Sequence, residues 1–172
     1  MARHDDTQIL ALNCMVLSIS NTRTEKTDQA GNCISRILEE SGHQVKFKQI
    51  IKDKKEDIRK MIDAGAENPE VDAIIMNGGT GLSTNDVTIE TLDDMLEKEI
   101  HGFGELFRML CYQEIASAAI LVRAKAGVRR HTAIFSIPGT ENAVDLAMNK
   151  IIMPELEHIC YEIKKDMNVE KI

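Results

Sequence analysis

Two hydrophobic periodicities alternate along the chain, and their order limits the fold more than any other feature. Short apolar runs at Met15–Ile19, Val45–Ile51, Ala73–Met76 and Ala133–Ile137 read as strands. Between them apolar residues recur at helical spacing. Ile34, Ile37 and Leu38 mark one helix, which Ser41-Gly42 should end. Asp53 with Glu56 three positions later is a capping-box signature, opening a helix that buries Ile58, Met61 and Ile62. A third helix runs from Thr88 through Leu92, Met95 and Leu96, with Thr88 as its cap, and a fourth spans Phe103 to Ile115. Thr140 opens a fifth, carrying Val144, Met148, Ile151 and Ile152, and Pro154 suits the first turn of a last helix bearing Leu156, Ile159, Cys160 and Ile163.

Strands and helices in this alternation imply right-handed βαβ crossovers and a mostly parallel sheet. The strand runs show little alternation of apolar and polar residues, which predicts burial on both faces. The expected fold is therefore α/β, a three-layer αβα sandwich, in a single domain over residues 1–172 with residues 1–10 and 165–172 frayed. Val128 to His131 is expected to turn into the following strand as an antiparallel hairpin.

Composition narrows the partners. The chain has 172 residues and a formal net charge of -7, and no segment concentrates basic residues. Nucleic acid and anionic membranes, which need a positive footprint, are excluded as expected partners. Cys14, Cys33, Cys111 and Cys160 are scattered among apolar residues without metal-site spacing, so they read as reduced core thiols. The polar start Met1 to Asp6 is followed by no signal-like apolar stretch, and no run is long enough to span a membrane. A cytoplasmic location is expected.

In an open parallel sheet ligands bind beyond the carboxyl ends of the strands. The third strand ends in Asn77-Gly78-Gly79-Thr80-Gly81-Leu82-Ser83-Thr84-Asn85-Asp86. A glycine-rich turn between strand and helix lets backbone N–H groups close on an anion. The sequence lacks both the Gly-Lys-Ser/Thr of a Walker loop and the Gly-x-Gly-x-x-Gly spacing of dinucleotide binders. A second turn, Ile137-Pro138-Gly139-Thr140, precedes a helix, and Ser20-Asn21-Thr22-Arg23-Thr24 follows the first strand with a single cation. Asp53 follows the second strand, where an N-cap role and a site role are about equally well motivated. Asp86 follows the glycine turn directly. A carboxylate beside a phosphate cradle repels the phosphate unless Mg²⁺ bridges them, so two aspartates at one sheet edge suit metal-assisted phosphoryl or nucleotidyl transfer. In Gly102-Phe103-Gly104-Glu105-Leu106-Phe107-Arg108 the phenylalanines read as core, and Glu105 with Arg108 as a solvated helix pair.

These segments together resemble the MoaB/MogA family of molybdenum-cofactor biosynthesis proteins. The resemblance is carried by Asn77 to Thr91, by Gly102 to Arg108, by Arg123-Ala124-Lys125-Ala126-Gly127, by Pro138-Gly139-Thr140 and by Ser20 to Asp28, so it covers nearly the whole chain. Gly102 to Arg108 is closer to the MoaB branch. The resemblance implies a MogA-like fold, a homo-oligomer (a trimer, or a hexamer of two trimers) and binding of molybdopterin, a pterin dithiolene with a terminal phosphate. Active members adenylylate that phosphate with Mg-ATP. By motif position Gly78, Gly79, Thr80 and Gly81 would cradle phosphate, and Asp53 and Asp86 would be the catalytic, Mg²⁺-orienting carboxylates. Pro138, Gly139 and Thr140 would line the pterin end, with Ser20, Ser83, Glu105, Arg108 and Arg123 also contributing to substrate binding.

The chain departs from the family pattern at Asn21, where an aspartate is usual, at Lys52, where a proline is usual, and at Val122, where a serine is common. Thr140 stands for a frequent serine. Asn21 and Val122 each remove a polar group, which leaves a second reading open: a non-catalytic protein that binds molybdopterin or its precursor.

Overall fold

The computed structural model describes residues 11–167. The strands are β1 (Asn13–Ile19), β2 (Gln44–Ile51), β3 (Ala73–Asn77), β4 (Lys98–Glu99), β5 (Lys125–Arg129) and β6 (Thr132–Ile137). They form one sheet in the order β2-β1-β3-β6-β5-β4. The first four in that order are parallel, and β5 and β4 join antiparallel. The expected hairpin is present as β5–β6, closed by a two-residue turn in which Arg130 takes φ +53°.

The helices are α1 (Gln29–Glu40), α2 (Lys55–Glu67), α3 (Thr88–Met95), α4 (His101–Ile115), α5 (Glu141–Ala147) and α6 (Met153–Lys164). Successive residues of β1 point to opposite faces, as the pleat requires. Cys14 and Val16 pack with Ile34 of α1, Phe107 of α4, Val144 of α5 and Leu156 of α6. Met15 and Leu17 pack with Ile58 and Ile62 of α2 and Leu92 and Met95 of α3. The two apolar layers on either side of one sheet make the three-layer αβα sandwich. Phe103 meets Phe135 of β6 edge-on, ring centroids 5.5 Å apart, which fixes α4 on the sheet.

Three local expectations are corrected. β2 is an edge strand, and most of its residues are exposed rather than buried on both faces. Lys46 and Lys48 fall in it, and charge on an edge discourages pairing with another chain. α5 and α6 are not separate helices: a π-helical turn, Met148–Ile152, joins them. Pro154 lies at the start of α6, where its missing N–H falls just after that irregular turn. Thr88 is not the cap of α3 but its first residue, following Val87 at the N-cap. Residues 165–167 continue beyond α6 as a helical turn, and residues 1–10 and 168–172 lie outside the described residues.

α4 ends at Ala116, with φ 50° and ψ -134°, before a 3-10 turn (Ala116–Leu121) leads to Val122 and Arg123. Among the described residues no helix is long and apolar enough to cross a membrane.

Candidate active site

The parallel strands β1, β3 and β6 end side by side, so the polar segments following them meet at one edge. They enclose a cavity of about 430 Å³ lined by Ser20 and Arg23, by Gly78 to Gly81 with Asp86, by Leu121 to Arg123, and by Pro138 to Thr140. A larger concavity of about 680 Å³ lies between α1 and α5, lined by residues such as Asn32, Arg36, Glu141 and Asp145. The smaller one is the candidate site, because the strand ends and the glycine turn converge on it.

The glycine turn is sterically obligatory. Gly78 has φ +98°, and a β-carbon there would lie 2.3 Å from the carbonyl oxygen of Ile19. Its N–H donates to the carbonyl of Ile137 at 3.0 Å, so the turn is wedged between the ends of β1 and β6. Gly79 has φ +63°, and its carbonyl accepts the N–H of Thr88 at 3.1 Å, handing the chain to α3. Arg123 holds the far side of the turn: Nε donates to the carbonyl of Thr80 at 2.9 Å and Nη2 to that of Gly81 at 2.5 Å. A planar trans peptide sets its N–H opposite its C=O, so this grip points the following N–H groups away from Arg123. Glu90 neutralises Arg123 through Nη1, at 2.5 Å.

Both aspartates abut this turn. A β-carbon on Gly79 would lie 2.7 Å from Asp53 Oδ2, and one on Gly81 would lie 2.7 Å from Asp86 Oδ2. The cap role of Asp53 is overturned. α2 starts at Lys55 after Lys54, with no side-chain cap, and the Asp53 carboxylate instead accepts the N–H of Val87 at 3.2 Å. Asn21 fixes the backbone of Asp53, its Oδ1 accepting the Asp53 N–H at 3.2 Å. Asp86 accepts both the N–H and the hydroxyl of Ser83, at 3.0 and 2.5 Å.

Their environments push the two acids apart. Burial raises the Asp53 pKa above its ordinary value, opposed by the Val87 N–H and helped by repulsion from Asp86 and Glu90. The Ser83 hydroxyl lowers that of Asp86, helped by the backbone N–H groups of Ser83 and Gly81 and by the Arg123 charge. Thr88 is fully buried, its hydroxyl oxygen has no hydrogen-bond partner among the described residues, and a β-carbon on Gly79 would lie 2.2 Å from it. This unpaired oxygen therefore stands beside the Asp53 carboxylate. A buried hydroxyl left unpaired is costly, so its place at the site matters.

Sequence reasoning passed over a polar network beneath the cavity. Asn77, at the end of β3, donates to Ser18 Oγ at 2.8 Å and accepts from Arg23 Nη1 at 2.8 Å. Ser18 donates to the buried Asp28, which also caps α1 through the Gly31 N–H at 3.1 Å. The sequence signal was the polar run after β1 with its one cation. Of the residues expected at the site, Ser20, the glycine turn, Arg123 and Pro138 to Thr140 converge, and Asp53 and Ser83 sit just beside the cavity wall. Thr140 also caps α5, accepting the Ala143 N–H. Glu105 and Arg108 do not line this cavity. Both lie on α4, where Arg108 borders one hollow with Met109, Tyr112 and Ile120 and a smaller one, of about 210 Å³, with Arg123 and Lys125.

Comparisons with known proteins agree with this fold. Residues 15–158 match the family described as "Probable molybdopterin binding domain". Molybdenum cofactor biosynthesis protein B of Bacillus subtilis (strain 168) is 49% identical over 156 residues, covering 90% of this chain and 92% of that protein. A crystal structure of a Molybdenum cofactor biosynthesis protein B superposes with a TM-score of 0.88 at 47% identity, covering 91% of this chain and 98% of that one. The tungsten cofactor synthesizing protein MoaB from Pyrococcus furiosus superposes with a TM-score of 0.80 at 30% identity, covering 89% and 97%. The chain belongs to the MoaB/MogA family of molybdenum-cofactor biosynthesis proteins, on its MoaB branch.

Proposed function

We propose that the cavity binds molybdopterin and transfers an adenylyl group from Mg-ATP to its terminal phosphate. The observation that carries this reading is that two carboxylates, Asp53 and Asp86, abut opposite ends of one glycine turn built to approach an anion. The donors fit Mg²⁺, which favours oxygen ligands and is commonly held by one or two carboxylates together with substrate phosphates. Asp53, Asp86 and the unpaired Thr88 hydroxyl supply only oxygen. Asp53 and Asp86 would hold the ion, which when bound supplies positive charge against the phosphate oxygens.

In the transfer, an oxygen of the molybdopterin phosphate bonds to the α-phosphorus of ATP, the bond from that phosphorus to the bridging oxygen breaks, and pyrophosphate leaves with the electron pair. The attacking phosphate is already ionised, so no strong base is needed, and no histidine among the described residues lines the cavity. The protein's work is alignment and charge stabilisation. The turn positions the phosphates, Arg123 stiffens the turn, and Asn21 sets the backbone of Asp53. Asp86→Asn should abolish turnover while leaving molybdopterin affinity intact or higher, because it removes a repulsive charge. Full activity in that variant overturns the role of Asp86.

A second reading, binding without turnover, draws on Val122, which lines the cavity beside Leu121 and carries no polar side-chain group. We also propose that the chain works as a homo-oligomer, a trimer or a hexamer. Leu106, Met109 and Tyr112 recur along one face of α4, and with Ile120, 84% exposed, they leave an apolar surface open. Light scattering on Ile120→Glu should show a smaller particle than the unaltered protein.

A further inference from the structure

Two arginines line the cavity, and their charges are spent differently. Arg123 is forked onto the Glu90 carboxylate and onto two carbonyls of the glycine turn. Among the described residues Arg23 has no hydrogen-bonded carboxylate. Its Nη1 donates to the amide oxygen of Asn77 at 2.8 Å and its Nη2 to the carbonyl of Gly139. Both acceptors are neutral. The nearest acid, Asp28, lies 3.8 Å from Nη1 and already accepts from Ser18 and the Gly31 N–H. A guanidinium carries more donors than these two bonds use, in a rigid fork that matches a phosphate.

Its position is equally specific. Asn77 immediately precedes Gly78, so the guanidinium is seated beside the first half of the glycine turn. A β-carbon on Gly139 would lie 2.7 Å from Nη2, so the absence of a side chain there makes room for the cation. The segment after β1 is held in turn: Ser20 Oγ accepts the backbone N–H groups of Thr22 and Arg23 at 3.2 and 3.1 Å. Three strand ends thus hold one incompletely neutralised cation against an anion cradle, in a chain of net charge -7 and beside Asp53 and Asp86. A dianion entering there gains its direct positive partner from Arg23.

Resting on the molybdopterin reading above, we infer that Arg23 is a substrate-binding residue that recognises the phosphate monoester of the ligand, jointly with the glycine turn. Arg23→Gln removes the charge and keeps polar contact with Asn77. Arg23→Lys keeps the charge and loses the fork.

The test is titration of the unaltered full chain and of both variants with molybdopterin and with dephosphorylated molybdopterin, after thermal denaturation has shown each variant folded. Arg23→Gln should weaken molybdopterin roughly tenfold to hundredfold, the effect of removing a charged hydrogen bond, and leave the dephosphorylated ligand unchanged. Arg23→Lys should recover part of the loss. Equal weakening of both ligands would show a purely structural clamp and overturn the assignment, as would unchanged affinity for molybdopterin. Failure of the unaltered protein to bind either ligand strikes instead at the molybdopterin reading, and the Arg23 assignment falls with it.

Discussion

The Asp53 carboxylate occupies the space that a side chain on Gly79 would need: a β-carbon there would sit 2.7 Å from Oδ2 and 2.9 Å from Oδ1. The turn and the acid are therefore one unit, although they lie on different connections. Gly79→Ala should displace Asp53 and strain a backbone held at φ +63°. Denaturant titration should show a loss of about 1–3 kcal/mol, and turnover should fall further than stability explains. A variant with unchanged stability and activity would show that the turn relaxes freely.

Asp53 should be a destabilising residue that is kept for the site. Burial and the neighbouring Asp86 and Glu90 raise its pKa above the ordinary 3.8. The folded protein thus holds the Asp53 proton more tightly than the unfolded chain does. Its contribution to stability is fully present below the unfolded value and is lost as pH rises through the raised folded value. Asp53→Asn retains an acceptor for the Val87 N–H, so calorimetry near neutral pH should show a higher melting temperature, with turnover lost. That gain should vanish well below pH 3.8, where both states hold the proton. A lower melting temperature near neutral pH contradicts this view.

Asn21 supplies the acceptor for the Asp53 N–H without adding charge. Asn21→Asp preserves the acceptor and places another carboxylate near Asp53. The acid limb of the pH–rate profile should then move to higher pH, because a like charge disfavours the ionised carboxylate. Asn21→Ala should lower activity without that displacement. An acid limb that stays in place in Asn21→Asp removes the electrostatic link.

Ala116 takes φ 50° and ψ -134°, a conformation suited to glycine, where α4 turns towards the cavity wall. Ala116→Gly should stabilise the protein by about 1 kcal/mol, read from denaturant midpoints, with activity unchanged. Destabilisation would mean that the methyl group's packing outweighs the strain.

The sheet was legible because Met15–Ile19, Ala73–Met76 and Ala133–Ile137 carry uninterrupted apolar runs, and the parallel strands put their polar ends together. β4 was not, since two residues, Lys98 and Glu99, carry no periodicity. The misreading of Asp53 has a definite cause. Asp53 and Glu56 satisfy a local capping rule, but the carboxylate is claimed by the Val87 N–H, 34 positions away, which only the fold brings near. Thr88 was misread for the same reason, because its hydroxyl lies beside Gly79 rather than capping α3. Glu105 and Arg108 belong to a motif that resembles the family's, yet α4 places neither in the cavity wall, and Arg108 meets Arg123 only across a neighbouring hollow. Arg23 was visible only as a lone cation, and its bonds to Asn77 and Gly139 depend on the β1-β3-β6 adjacency.

The most direct measurement is incubation of the purified protein with molybdopterin and Mg-ATP, following adenylylated molybdopterin and pyrophosphate together. The expected result is equimolar formation of both, lost in Asp86→Asn. Molybdopterin binding with neither product, under conditions where an active relative turns over, would contradict adenylyl transfer and leave a binding protein.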